Sequence, residues 1–507
     1  MMPSNLIAAL IPLFLAFGRS SGVLPPDAHT VARTALQAMY HATRDTAVQA
    51  IRVSGIEHTW VLGNAERAEG PWRVAYAQIA ELYDPANGRL RRAERAIRAD
   101  GGAAPERVTL LTDSVAVALV NGRYAGGSHG TYEDIIDRVD GMPLRALRLA
   151  DESPHLALEA PVDRFGVSHD VIAFPWRNGR MRIEISRDSH LPTAVDIVRG
   201  YPDNFRWAPF GDVDMRTENV DWTITPSGMY WPMQQKVSLN GQPLRDVTYA
   251  LALSSPSAAP DSFVVADDMR AQFDSASRFN FSRFRLGMRG PSTELAPGIV
   301  RVPDFWTQTL VKQPDGVIIF EAHISADYLH EVIAEARRRW PSAPIKALVM
   351  TSDPWAHLGG VREAMALNIP IYVHANSVPF LRRLAASPHS MPSDALAKSR
   401  RAPRLIPVRS KTALGSGENR IELYPVGGPY AERMLMAYFP ERRLLYGADL
   451  VFMNRGPDGA PAPGFTETEA ADLRAAVARE RLRVDTLFCV QNYGPFAWRD
   501  FARETRG

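Results

Sequence analysis

The sequence has a single cysteine, Cys489, among its 507 residues. One cysteine excludes an internal disulfide and a zinc site built from several thiolates, and its late position excludes a lipid-modified cysteine at the N-terminus. The surrounding run, residues 484–490, is mostly apolar and predicts a buried strand. We therefore interpret Cys489 as a buried structural thiol rather than a reactive one.

The sequence also has almost no net charge. Its 58 Lys and Arg residues are interspersed with 56 Asp and Glu residues. A nucleic-acid-binding protein usually concentrates its basic residues on one face, so this balance argues against a nucleic-acid partner. A chain of this length exceeds what one hydrophobic core can organise, and we expect at least two domains.

Long apolar runs are missing after the first 22 residues, and no transmembrane helix is predicted there. Residues 6–17 are apolar, and small residues follow them up to Gly22. This run is too short to cross a bilayer as a helix and has the length of a signal-peptide core, although neither Lys nor Arg precedes it. We expect residues 1–22 to be a signal peptide, with an N-terminal anchor as the alternative. The protein is then expected to be exported, and to be periplasmic or associated with the cell envelope.

Alternating segments and turn signals dominate the first half of the chain. Residues 28–52 carry apolar side chains at helical spacing and predict a helix. Asn-Gly pairs between alternating runs predict tight hairpins because both residues tolerate positive φ. These pairs lie at 121–122, 178–179 and 240–241. We predict a mainly antiparallel β domain with an N-terminal helix over residues 28–275, followed by a connector over 276–295.

From residue 296 onward, predicted strands alternate with predicted helices. The strands are 317–320, 345–350 and 369–373, and a helix is predicted over 326–339. This alternation indicates an α/β layered domain over residues 296–507.

Four segments of this region resemble, in the same order, segments of the metallo-β-lactamase superfamily. They are a strand followed by an acid at 315–322, a loop that ends in Gly-Gly at 344–360, a strand at 369–374, and the segment 438–449. The resemblance covers about residues 296–507 and implies an αβ/βα sandwich. It also implies a hydrolase-like centre in which a water between two metal ions attacks the substrate.

Most metal ligands that this resemblance implies are replaced. The loop of the superfamily reads His-x-His-x-Asp-His before Gly-Gly, and the matching positions here are Ser352, Pro354, Ala356 and His357. Only His357 keeps its identity. Neither a proline nor an alanine side chain has an atom that can bind a metal, so both implied metal sites lose ligands.

The distal ligands show the same loss. The resemblance implies that the bridging carboxylate is retained as Asp449. It places the third histidine near Tyr430 and the last one near Asn492 or Tyr493, and no histidine follows His389 anywhere in the sequence. We predict that the usual dinuclear site is not formed.

Three interpretations of this centre stay open. The first is a metal-free pocket with no cofactor. The second is a single Zn, Mn or Fe ion bound by Asp353, His357 and Asp449. The third is a nucleophilic set of Ser352, His357 and Asp449, although no nucleophile elbow surrounds Ser352.

Residues 387–405 predict a loop over the mouth of the pocket. The candidate substrate-binding residues are Trp355, Tyr430, Glu432, Arg433, Asn492 and Tyr493.

Short segments of the N-terminal domain resemble the lipoprotein carriers of the bacterial envelope, which are half-barrels that close around an acyl chain. These segments are 83–91, 188–195 and 230–233.

One expected function of the whole chain is an exported hydrolase-like protein with a divergent centre of one metal or none, acting on a small molecule. The alternatives are a catalytically inactive pseudoenzyme that binds a lipid or another apolar ligand, and a scaffolding partner in the envelope.

Overall fold

The computed structural model describes most of the chain from residue 27 to residue 504. The described ranges are 27–41, 48, 50–60, 72, 74–97, 104–202, 204, 207–255, 258–259, 261–278, 284–352, 357–399, 401–451, 454–455, 461–462, 467–491 and 494–504. The predicted signal peptide or anchor at 1–22 lies outside these ranges, as do four predicted site residues. Those four are Asp353, Trp355, Asn492 and Tyr493. Of the helices in the described ranges, none has the length and apolar content to cross a membrane.

Thirteen strands of the N-terminal domain form one antiparallel sheet, and the predicted mainly antiparallel β domain is confirmed. The first six strands are β1 Ala50–Trp60, β2 Val74–Asp84, β3 Arg89–Ala96, β4 Arg107–Leu111, β5 Ala116–Val120 and β6 Arg123–Gly126. The other seven are β7 Ala157–Arg164, β8 Val167–Trp176, β9 Gly179–Ser186, β10 Pro192–Gly200, β11 Asp212–Ile224, β12 Tyr230–Leu239 and β13 Gln242–Ser255. The two meanders join where β1 pairs with β13, so the order runs from β6 to β1 and then from β13 to β7.

Four helices cover one face of this sheet, which we call the inner face. They are α1 Ala28–Tyr40, α2 His129–Asp140, α3 Pro143–Glu152 and α4 Asp267–Ser277. Each contributes to one buried core, which includes Met39 from α1, Val139 from α2, Leu147 from α3, Phe273 from α4 and the sheet residue Trp231. This burial of apolar side chains is the main source of stability in the domain.

The predicted helix over residues 28–52 is too long. The structure ends α1 at Tyr40 and begins β1 at Ala50. Ile51 and Val53 are buried at alternate positions of β1, which pairs with both β2 and β13. Pairing on both sides therefore overrides the helical spacing of the apolar residues.

The hairpin predicted at residues 240–241 is confirmed. Asn240 and Gly241 connect β12 to β13 with φ values of 47° and 77°. Two consecutive residues with positive φ form the kind of turn whose twist matches that of antiparallel strands.

Two sheets build the C-terminal domain. In the first sheet, strands that follow one another in the chain are neighbours. It contains β14 Thr293–Ala296, β15 Ile299–Val302, β16 Gln308–Gln313, β17 Gly316–Phe320, β18 Ile345–Met350, β19 Ile371–His374 and β20 Leu405–Val408. The second contains β21 Thr412–Leu414, β22 Ile421–Pro425, β23 Leu435–Phe439, β24 Leu444–Tyr446, β27 Thr486–Phe488 and β28 Phe496–Ala497. A small pair, β25 Asn454–Arg455 and β26 Pro461–Ala462, lies between them in sequence.

Helices cover the outer sides of both sheets. They are α5 Ala326–Arg339, α6 Val361–Ala366, α7 Val378–Ala386, α8 Ala395–Ser399, α9 Glu467–Arg479 and α10 Trp498–Glu504. Between the sheets, the ring of Phe320 on β17 lies 5.1 Å from that of Tyr446 on β24. Leu473 of α9 packs in a second core on the other side of β23 and β24. The predicted αβ/βα sandwich is confirmed by these layers.

The two domains contact each other through the segment that follows α7. Both carboxylate oxygens of Asp212, at the start of β11, accept hydrogen bonds from Ser390, and one also accepts from the backbone N–H of Met391. A Cβ at Gly211 would lie 2.3 Å from the carbonyl oxygen of Pro388, so this approach requires glycine. Part of the predicted loop at 387–405 therefore binds the N-terminal domain.

Candidate functional site

The candidate centre lies where strands of both sheets end. In the first sheet β17 and β18 run parallel, so the residues after them, Glu321 and Ser352, come to the same edge. In the second sheet β24 and β27 are also parallel, and the residues after these strands include Asp449 and Gln491. Carboxyl ends of parallel strands are where α/β folds place their functional groups.

Protein groups bind both carboxylate oxygens of Asp449. The hydroxyl of Ser352 donates a hydrogen bond to Oδ2 at 2.7 Å, and the amide Nε2 of Gln491 donates to Oδ1 at 2.9 Å. The backbone of Gln491 is held in place, because its main-chain carbonyl oxygen accepts a hydrogen bond from the hydroxyl of Thr307 at 3.2 Å. Asp449 is buried, with 5% of its surface exposed. The two donors are neutral groups, and they satisfy the carboxylate where the resemblance implies a metal bridge.

His357 contacts both members of that pair through one ring nitrogen. Its Nδ1 lies 3.3 Å from Oγ of Ser352 and 3.4 Å from Oδ2 of Asp449. The rings of Trp306 and His357 pack in an edge-type arrangement, with their centroids 5.1 Å apart. His357 is buried, so this arrangement orients the ring within a closed environment.

Glu321 is a second buried carboxyl group at the same edge. Its Oε1 accepts hydrogen bonds from the backbone N–H of Thr351 at 3.0 Å and from the Thr351 hydroxyl. Burial raises the pKa of Glu321 to about 8; the Thr351 hydrogen bonds oppose this rise, and the charge of Asp449 adds to it. At neutral pH Glu321 is therefore mainly uncharged.

His323 also belongs to this environment, although its position shortly after β17 does not by itself mark it as a site residue. It is fully buried, and its ring lies 6.0 Å from that of His357. Burial and the neighbouring His357 hold the pKa of His323 well below its usual value. Gln491 and Trp306 were also missed, and for Gln491 the adjacent Gly494-Pro495 motif was the available signal.

The donor set around Asp449 does not fit a dinuclear metal centre. In the part of the chain that the structure describes, no three His, Cys, Asp or Glu side chains come close enough to share a metal ion. Both oxygens of Asp449 are used by Ser352 and Gln491. The single-metal interpretation includes Asp353, which lies outside the described residues, and it stays a prediction.

The nucleophilic interpretation has the right residues in a different arrangement. In a serine hydrolase the histidine contacts the serine with one ring nitrogen and the aspartate with the other. Here Nδ1 of His357 faces both Ser352 and Asp449, and the serine proton points to the carboxylate. Ser352 is only 2% exposed, so its hydroxyl is shielded from solvent in this conformation.

The predicted substrate-binding residues 430, 432 and 433 lie together after β22. The backbone N–H of Tyr430 donates to Asp472 on α9, and the carbonyl of Glu432 accepts from the Asn376 side chain. The guanidinium of Arg433 lies 5.3 Å from the centre of the Phe380 ring on α7. These three contacts are with Asp472 of α9, Asn376 and Phe380 of α7, and a role in substrate binding stays a prediction.

Comparison with known proteins gives structural similarity without sequence similarity. No protein-family model matches the sequence, and the search of curated proteins found no significant match. A metallo-beta-lactamase from Pontibacter korlensis matches with 15% identity and a TM-score of 0.32, covering 42% of this chain and 96% of that one. One from Erythrobacter litoralis matches with 18% identity and a TM-score of 0.29, covering 42% and 93%.

An inverting sec-alkylsulfatase from a Pseudomonas species also matches, with 16% identity and a TM-score of 0.30. That match covers 42% of this chain and 40% of the sulfatase. Similarities at this level say nothing about the reaction or the substrate of this chain. The sandwich is assigned from its own strand order and layers.

Proposed function

We propose that the C-terminal domain keeps a hydrolase-like fold in which hydrogen bonds between side chains replace the metal centre. The protein then acts by binding a ligand rather than by metal-dependent hydrolysis. The observation that carries this proposal is the Asp449 carboxylate, whose two oxygens accept hydrogen bonds from Ser352 and Gln491. A metal ion at Asp449 would have to displace both donors and would deprive the buried Ser352 hydroxyl of this acceptor, which is unfavourable.

The place of action follows from the sequence. The apolar run at residues 6–17 supports export, and the envelope is the expected location. Ligand binding is assigned to the N-terminal domain, because the C-terminal centre is filled by its own side chains. Glu321, Ser352 and His357 are all buried, which supports a closed centre.

Elemental analysis of the purified full chain tests the metal part of this proposal. Protein loaded with Zn, Mn or Fe and then dialysed is expected to retain less than about 0.1 equivalent of metal. His357→Ala should not change that value. The control is His389→Ala, a buried histidine at the domain junction. One equivalent of metal that is retained in the control and lost in His357→Ala would contradict the proposal.

Hydrolysis assays test the remaining part. The wild-type chain, Ser352→Ala and Asp449→Asn are compared on ester, sulfate-ester and β-lactam substrates, with and without added metal. We expect the wild-type rate to equal that of both variants. Turnover that disappears in Ser352→Ala without any dependence on metal would establish the nucleophilic interpretation instead.

A further inference from the structure

Five charged side chains meet on the inner face of the N-terminal sheet. Glu57, Glu81, Arg92 and Arg245 lie on β1, β2, β3 and β13, and Arg138 reaches them from α2. The side chains are between 0% and 13% exposed. Charged groups buried to this extent require partners.

Two of the arginines pair with the two carboxylates. Nη2 of Arg92 lies 2.7 Å from Oε1 of Glu57, and its Nη1 contacts Glu81. Nη2 of Arg138 lies 3.1 Å from Oε2 of Glu57 and also contacts Glu81. Burial alone raises the pKa of Glu57, but the charges of Arg138, Arg245 and Arg92 lower it to about 2. Both carboxylates are therefore ionised and fully used.

Arg245 is the third cation, and it has no matching carboxylate. Its one ion pair in the described chain is a 3.8 Å contact from Nε to Oε2 of Glu57, beyond hydrogen-bonding distance. The buried Nε of Arg245 has no hydrogen-bond acceptor in the described residues, and neither does the buried Nε of Arg138. Glu94 does not compensate this charge, because it contacts Nε of Arg92 at 2.9 Å.

Arg245 and Arg138 approach the same place. Both guanidinium groups contact Oε2 of Glu57. Burial and the charge of Arg138 lower the pKa of Arg245, although an arginine remains charged at neutral pH. Each side chain keeps 13% of its surface exposed, although both Nε atoms are buried.

We propose that Arg245, together with Arg138, binds the phosphate or carboxylate group of a ligand. Oxyanions of these two kinds match the fork of donors on a guanidinium and supply the acceptors that the two buried Nε atoms lack. The group belongs either to the head of an amphiphile or to a free small anion. This inference concerns the N-terminal domain alone and holds whether or not the C-terminal domain hydrolyses a substrate.

Calorimetric titration of the full chain with inorganic phosphate and with octyl phosphate below its micellar concentration tests this site. Octyl glucoside, which has the same tail without the charge, is the control ligand. We expect a phosphate-bearing probe to bind at least about ten-fold more weakly to Arg245→Gln than to the wild type. Arg91→Gln removes an exposed arginine of β3 and should bind as the wild type does.

The two probes distinguish the sources of the anion. Equal binding of both supports a free anion, and binding of octyl phosphate alone supports the head of an amphiphile. The proposal is overturned when neither phosphate probe binds the wild type, when Arg245→Gln binds as tightly as the wild type, or when octyl glucoside binds as well as octyl phosphate.

Thermal unfolding in an anion-free buffer separates this role from a structural one. Arg245→Gln removes a buried charge that lacks an acceptor, so its Tm should equal or exceed that of the wild type. A Tm several degrees below the wild type, as expected for loss of a structural partner of Glu57, would overturn the proposal.

Discussion

The hydroxyl of Ser352 donates a 2.7 Å hydrogen bond to Oδ2 of Asp449, across the two sheets of the C-terminal sandwich. Ser352 follows β18 of the first sheet and Asp449 follows β24 of the second. By the resemblance, these are the positions of a metal-binding histidine and of the carboxylate that bridges two metals. Because these two residues form a direct hydrogen bond, contacts between side chains hold the centre together.

Ser352→Ala should destabilise the protein, because it leaves one oxygen of a buried carboxylate without its donor. A buried hydrogen bond to a charged group contributes about 1.5 to 3 kcal/mol. We expect a loss of this size in the free energy of unfolding, measured in urea. Ser410→Ala, at an exposed position of the same domain, is the control and should be neutral. No change in Ser352→Ala would mean that the hydrogen bond does not form in solution.

Glu321 makes the stability of the wild type depend on pH. Its pKa is raised to about 8, so its contribution to stability is fully present below the unfolded value and is lost as the pH rises through 8. The neutral variant Glu321→Gln keeps an acceptor for Thr351 and lacks this titration. Relative to Glu321→Gln, we expect the wild type to lose stability by up to about 1.4 kcal/mol per pH unit between about pH 5 and 8.

Unfolding measured across this pH range, with the exposed Glu418→Gln as a control, checks the dependence on Glu321. A constant difference between the wild type and Glu321→Gln from pH 5 to 9 would show that Glu321 is ionised in the folded protein throughout.

Asp140 on α2 should be destabilising at neutral pH. Burial raises its pKa to about 6, Arg145 and Arg177 oppose the rise, and Asp137 adds to it. Asp140→Asn keeps an acceptor for the 3.2 Å hydrogen bond from Arg145 and removes the buried charge. We expect the variant to be more stable than the wild type by up to about 3 kcal/mol at pH 7.5, with the difference vanishing below about pH 4. A less stable variant at pH 7.5 would contradict the raised pKa.

Asp212 should control how firmly the two domains contact each other. Its carboxylate accepts the hydrogen bonds of Ser390 and Met391, and Asp212→Ala removes these acceptors. We expect faster proteolysis after residue 387 and earlier thermal unfolding of one domain, detected as a second calorimetric transition. Asp214→Ala, two residues along β11 and exposed, should behave as the wild type. Equal proteolysis in both variants would show that other contacts hold the junction.

Much of the fold could be predicted from residue patterns. The bounds of α5 and β18 follow directly from their apolar spacing, and Asn240-Gly241 fixes one hairpin. The helix predicted over 28–52 is too long because the strand conformation of Ile51 depends on pairing with β2 and β13, which lie far away in sequence. The spacing of apolar residues within one segment carries no information about pairing with distant strands.

The residues of the candidate site could be predicted from the sequence, but the hydrogen bonds between them could not. The resemblance brought Ser352, His357 and Asp449 into one centre, and the structure places them together. That both oxygens of Asp449 accept from neutral donors depends on the positions of Ser352 and Gln491 across two sheets. His323 cannot be singled out from the sequence because a histidine near a strand end is common, and only its complete burial sets it apart.

Diffraction at the zinc absorption edge, from crystals of the full chain soaked in zinc, tests the central claim most directly. The hydrogen bonds of Ser352 and Gln491 to Asp449 predict no anomalous peak within the coordination distance of about 2.2 Å from this carboxylate. A peak bound by both Asp449 and His357, with the Ser352 hydroxyl turned away, would contradict the claim that hydrogen bonds have replaced the metal centre.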